Sequence, residues 1–134
     1  MPVLTITMRR GRTPEQKQRL VAAACTALQE SFALKDSSYS VRVLELAPED
    51  FYLPSPKTER YVLVEVDCFA GREQHLKDGF SAALLQRLAE AGEDPSQVLS
   101  LIRESPMGNW GYQGKKNPLP HGLEHCYHTK NLQD

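Results

Sequence analysis

Aligned on itself, the 134-residue chain repeats. Gly11-Arg12 recurs as Gly71-Arg72 and Lys17 as Lys77, both at a shift of 60. Glu45 to Phe51 recurs as Glu104 to Trp110 at a shift of 59. Self-similarity of this kind means that one supersecondary unit is used twice. Each unit reads strand, helix, strand, so its two strands run parallel through a right-handed crossover. Two units about a pseudo-two-fold axis make an α/β (α+β) fold, a four-stranded mixed sheet with both helices on one face. The chain reads as a single domain, residues 1–134, with units over about 2–54 and 60–114 and a C-terminal tail at 115–134.

The elements follow from spacing and punctuation. The first strand starts at Pro2 and ends at a tight Gly11-Arg12 turn. Thr13 as N-cap, Pro14 at the first helical position and Gln16 three residues after the cap form a capping box. Leu20, Val21, Ala24, Leu28 and Phe32 then line one face of a helix over about 14–32. Tyr39 to Leu46 and Tyr61 to Phe69 read as the second and third strands. Leu76, Phe80, Ala83, Leu84 and Leu88 make a second helical stripe, stopped near Gly92. Val98 to Arg103 reads as the fourth strand. In the first strand Leu4, Ile6 and Met8 alternate with Val3, Thr5 and Thr7, so the sheet face away from the helices is partly apolar and uncovered within the chain. Such a face seeks a partner, and a closed oligomer is expected.

Composition narrows the function classes. A net charge of −1 lacks the basic footprint of a nucleic-acid binder. No apolar run reaches the length of a membrane span, and no signal peptide opens the chain. Three scattered cysteines, Cys25, Cys68 and Cys126, fit a reduced cytoplasmic protein better than a disulfide framework. His121, His125, Cys126 and His128 crowd the tail, but their spacing fits no standard zinc pattern, so neither a metal nor a cofactor is expected.

The unusual chemical group is at the front. A small second residue normally permits removal of the initiator methionine, and removal leaves Pro2 as a free secondary amine. Met-Pro, an apolar strand, then Gly11-Arg12-Thr13-Pro14-Glu15-Gln16-Lys17 resembles the 4-oxalocrotonate tautomerase subgroup of the tautomerase superfamily. Val41-Arg42-Val43 is similar to that family's second strand and its arginine. The doubled length resembles the fused two-unit members, such as malonate semialdehyde decarboxylase and cis-3-chloroacrylic acid dehalogenase. The resemblance spans nearly all of residues 2–114. It implies a tautomerase-like fold, a catalytic amino-terminal proline, arginines that hold substrate carboxylates, and a homotrimer.

Topology assigns the partners. Arg12 and Pro2 lie at opposite ends of one strand, roughly 20 Å or more apart at about 3.3 Å per residue. If the first strands of the two units run antiparallel at the sheet centre, Arg72 lies beside Pro2. The start of the second strand, near Arg42, the loop residue Asp36, and Trp110 fall on the same side. Pro2, Arg72 and Arg42 are therefore the expected catalytic residues, with Arg12, Trp110 and Asp36 as substrate-binding candidates. Arg12 and Arg72 each also read as solvated turn residues, Arg42 as half of an intersubunit pair, Trp110 as a core anchor and Asp36 as a polar turn residue. The position equivalent to Pro2 is Val62, which has no amine, so the Arg12 end with Phe51 should be a degenerate site.

The chemistry expected is proton transfer. Burial near Trp110 and beside guanidiniums disfavours a protonated amine and lowers its pKa. A neutral amine takes a proton from an enol or an activated carbon and returns it elsewhere, while arginines grip oxygens and developing charge. The expected function is a cofactor-independent keto–enol tautomerase of small 2-oxo or 2-hydroxy-enoate carboxylic acids. Two rivals remain: a hydratase, decarboxylase or dehalogenase-type lyase that would need Asp36, and a non-catalytic oligomer with Met1 retained. Phe69, Ala70 and Gly71 precede Arg72, so the paired arginine of those decarboxylases and dehalogenases is missing.

Overall fold

The computed structural model describes residues 2–34 and 38–111. Its sheet is four-stranded, in the order β2-β1-β3-β4. The strands are β1 (Val3–Arg9), β2 (Ser40–Leu46), β3 (Val62–Phe69) and β4 (Val98–Ser105). β1 pairs parallel with β2 and antiparallel with β3, and β3 pairs parallel with β4. This is the expected tandem β-α-β arrangement with its axis between the two central strands.

Helix α1 (Pro14–Phe32) starts as its sequence dictates. The Gln16 amide donates to Thr13 Oγ1 at 3.1 Å, and Gln16 Oε1 accepts from the Thr13 amide at 2.9 Å. Helix α2 (Gln74–Glu90) has Glu73 at the cap and no side-chain cap bond. Both turns into the helices need a residue free of a Cβ, because Gly11 has φ 140° and Gly71 has φ 126°.

The repeat is visible down to single contacts. Lys17 Nζ lies 2.7 Å from Glu45 Oε1, and Lys77 Nζ lies 2.7 Å from Glu104 Oε1. The Arg10 amide donates to the Leu46 carbonyl and the Ala70 amide to that of Ser105, each at 2.9 Å. Short 3-10 turns follow at Pro48–Asp50 and Met107–Asn109. β4 runs two residues past the expected Arg103, because Cys68 and Phe69 of β3 continue the ladder with Glu104 and Ser105.

Leu4, Ile6 and Met8 of β1 and Val62, Val64, Val66 and Cys68 of β3 enter one core with Leu20, Leu28, Phe32, Phe80, Leu84 and Leu88 of the helices. Burying each large apolar side chain contributes roughly 1.5–3 kcal/mol. The other face carries Thr5, Thr7, Glu65 and Asp67 centrally, with Leu44 and Leu99 exposed on the outer strands. Arg103 bridges Asp67 at 2.8 Å and Glu65 at 2.7 Å there, which holds its guanidinium above the usual arginine range. No helix among the described residues is long and apolar enough to cross a membrane.

Candidate active site

Register decides what stands beside the first proline. Val3 pairs with Asp67 across the antiparallel centre, so one further step brings Pro2 opposite Cys68. Pro2 is buried, and its carbonyl accepts from the Ser40 amide at 3.2 Å. By alternation it shares the helix-side face with Leu4. The chain leaves β3 at this same end, through Gly71 into Arg72. Arg72 is 6% exposed, and its guanidinium carbon sits 4.4 Å from the centroid of the Phe32 ring. A guanidinium over an aromatic face is held by the ring's quadrupole without losing its charge. Phe32 in turn packs against Phe80, with centroids 6.0 Å apart.

Trp110 completes the group. Its ring meets Phe69 edge-on, centroids 4.9 Å apart and planes at 87°. Its indole Nε1 is buried and has no hydrogen-bond partner among the described residues. Burial pushes the Cys68 thiol up, while the nearby Arg72 charge partly opposes that shift. Cys68 thus stands as a neutral, apolar neighbour rather than a nucleophile. Pro2, Arg72 and Trp110 thus lie at one end of the sheet, with Cys68 opposite Pro2, Phe32 against Arg72 and Phe69 against Trp110.

Arg42 stands apart from them within one chain. It pairs with Thr5 in register, and its Nε donates to Thr5 Oγ1 at 3.0 Å. That places it on the uncovered sheet face, about 10 Å along from Pro2 at the usual strand rise. Asp36 lies outside the described residues, as do His121, His125, Cys126 and His128 of the tail. Among the described residues no group of three His, Cys, Asp or Glu side chains is placed to hold a metal ion.

Arg12 occupies the opposite end and is engaged there through Nε and Nη2. Its Nε and Nη2 donate to the two oxygens of Glu93 at 3.2 and 2.7 Å, and Nη2 also reaches the Arg60 carbonyl at 2.7 Å. The side chains of Arg12 and Glu93 are 1% and 3% exposed. Phe51, the counterpart of Trp110, packs against Tyr61 at 5.9 Å, and its carbonyl accepts from Arg9 Nε and Nη2 at 3.0 and 2.7 Å. Val62, the counterpart of Pro2, is wholly buried.

Sequence reasoning passed over Phe32, Cys68, Glu93 and Arg60 as members of either end. Cys68 was within reach of it, since antiparallel pairing of the two first strands puts it opposite Pro2. Glu93 left no local signal, being 81 residues from Arg12. A separate depression of about 590 Å³ lies between α1 and β2, lined by Pro14, Lys17, Val21 and Val43. It holds no acid–base pair of its own, because its lysine is taken up by Glu45.

The fold defines a class: small proteins built from two fused β-α-β units whose first strands pair antiparallel at the centre of one sheet. Two sequence profiles described as tautomerase enzyme match the chain, one over residues 38–113 and the other over residues 2–59. The chain belongs to the tautomerase family, whose members are enzymes. Among solved structures it is similar to a fused 4-OT protein termed Q0, a symmetric trimer. That match has 27% identity and a TM-score of 0.74, covering 84% of this chain and 93% of that one. It is also similar to Pt0534, solved after inactivation by 2-oxo-3-pentynoate, at 25% identity and a TM-score of 0.77, over 86% and 94% of the two chains. A malonate semialdehyde decarboxylase shares the fold, at 23% identity and a TM-score of 0.75, over 85% and 93%.

Proposed function

We propose that this chain is a cofactor-independent keto–enol tautomerase of small 2-oxo or 2-hydroxy-enoate carboxylic acids, working as a cytoplasmic homotrimer. The observation that supports the reading is that buried Pro2 lies at the same sheet end as Arg72 and Trp110. Once Met1 is removed, the Pro2 nitrogen is a secondary amine in an apolar surround. It takes the enol proton and delivers it to the γ or β carbon, so one group serves as base and then as acid. Arg72 grips a substrate oxygen and stabilises the negative charge that grows on the dienolate. The Phe32 ring packs against the guanidinium and helps to position it. The indole N–H of Trp110, without a hydrogen-bond partner among the described residues, is a further donor in this reading.

Arg42 enters this reading through the assembly. It lies on the sheet face that a neighbour would cover, so a second copy brings its own Arg42 toward this chain's substrate. The relative Q0 is a symmetric trimer, which supports that arrangement. Phe69, Ala70 and Gly71 precede Arg72, so the companion arginine is absent there, which supports isomerisation over decarboxylation.

The test is a Pro2→Ala variant assayed for ketonisation of phenylenolpyruvate and 2-hydroxymuconate. A fall in kcat of about 10²–10⁴-fold is expected for loss of the positioned base. Unchanged turnover, or an intact mass showing Met1 retained on active protein, refutes the reading.

A further inference from the structure

The end of the sheet without an amine is rich in arginine. A depression of about 200 Å³ lies there, lined by Arg9, Arg10, Gly11, Arg12, Glu59 and Arg60. Four arginines and one carboxylate residue, Glu59, line it, with Arg9 held by the Phe51 carbonyl and Arg12 by Glu93. Arg12 is the buried member, its side chain 1% exposed. Glu93 and the Arg60 carbonyl take its Nε and Nη2, but its Nη1 is buried with no hydrogen-bond partner among the described residues. A buried guanidinium N–H left unmatched carries a desolvation cost that an incoming oxygen would relieve. Gly11 adds room, since a Cβ built there meets nothing within 4 Å.

We infer that this depression is a second binding site, for a small oxyanion, carboxylate or phosphate, that binds without turnover. The pseudo-two-fold sets Arg12 on Arg72 and Val62 on Pro2. The guanidinium has thus been kept and the base has not. Arg12 forms the buried wall of the depression, and Arg10 and Arg60 supply charge at its mouth. Arg60 stays 35% exposed while bridging Glu93 at 3.1 Å, so it can turn one edge of its guanidinium to a ligand. A volume of about 200 Å³ admits an anion of a few heavy atoms and excludes a nucleotide or a peptide. The inference is independent of proton transfer at Pro2, because nothing in this end requires an amine.

The experiment is calorimetric titration of the full-length protein with malonate and, separately, with inorganic phosphate. It is run on wild type, on Arg72→Ala and on the Arg10→Ala/Arg60→Ala double variant, each checked for native circular dichroism. Binding of either anion that survives Arg72→Ala and weakens about tenfold or more in the double variant is the expected result. Malonate alone binding names a carboxylate site, phosphate alone a phosphate site, and both a general oxyanion site. Loss of all binding in Arg72→Ala, unchanged binding in the double variant, or no binding of either anion by wild type overturns the inference. Should Arg60→Ala disturb Glu93 and unfold the protein, Arg10→Ala with Arg60→Gln gives the same reading.

Discussion

The two ends of this sheet began as copies and now treat the same residue in opposite ways. Arg12 and Arg72 leave equivalent turns after equivalent glycines, and both are nearly buried, at 7% and 6% exposure. Each reaches the end of the other unit's helix. Arg12 finds the carboxylate of Glu93 just beyond α2, whereas Arg72 finds the ring of Phe32 at the end of α1. A carboxylate neutralises the guanidinium and spends its best donors, so Arg12 becomes part of the wall. At the other end the Phe32 ring holds the Arg72 guanidinium carbon 4.4 Å from its centroid. One residue type thereby takes a carboxylate partner at one end and an aromatic partner at the other. The choice of partner, not the choice of arginine, separates them.

The largest expected effect breaks the Arg12 end. Glu93→Gln leaves a buried guanidinium without its counter-charge and should destabilise the protein by about 3–5 kcal/mol in urea unfolding. Replacing both partners, Arg12→Met with Glu93→Leu, should recover most of that loss, since a buried pair often exchanges for apolar packing at little cost. Full recovery of stability in Glu93→Gln alone would mean the ion pair is idle and the contrast between the ends is false.

Phe32→Leu probes the other end. It removes the ring beneath Arg72 while keeping most of the core volume, so stability should fall by about 1–2 kcal/mol. On the proposed function, kcat/KM should fall further than stability explains, because Arg72 loses its orientation. An unchanged kcat/KM per folded molecule would show that the stack does not position the arginine.

Cys68 sharpens the comparison through pH. Burial raises its thiol above the ordinary value of 9.0. The unfolded chain therefore gives up this proton at lower pH than the native one, and the native state binds the extra proton. The contribution to stability is whole below the unfolded thiol's pKa and declines as pH rises from there through the native value. Cys68→Ala should flatten that alkaline decline in unfolding curves taken at rising pH. In the native protein Cys68 should also resist iodoacetamide at neutral pH, read by mass spectrometry.

The smallest effect is a control. Lys17→Met and Lys77→Met each break a partly exposed bridge of the same length, and each should cost less than about 1 kcal/mol. Nearly equal losses show that the units remain alike away from their ends. A large difference would spread the asymmetry through the whole sheet.

Much of this was legible in advance because it is local. The capping box at Thr13 and Gln16, the glycine turns and the apolar stripes each depend on residues a few positions apart. The repeat then supplied topology, since two similar units can close one sheet only in a few ways. Even the company of Pro2 with Arg72 and Trp110 follows from one assumption, that the two first strands run antiparallel. Asp36 and the histidines of the tail lie outside the described residues and belong to neither account.

The sequence by itself determined the doubled β-α-β architecture and which chain ends would meet, because periodicity and turn chemistry act over short range. Only the tertiary structure decided that Glu93 would close on Arg12 from 81 residues away, that Phe32 would lie under Arg72, and that Arg42 would turn to the open face. Those outcomes depend on where helix ends fall relative to a particular strand register. No propensity encodes that, because it is a property of the packed molecule, where a buried charge must take whichever partner the closed fold brings within reach.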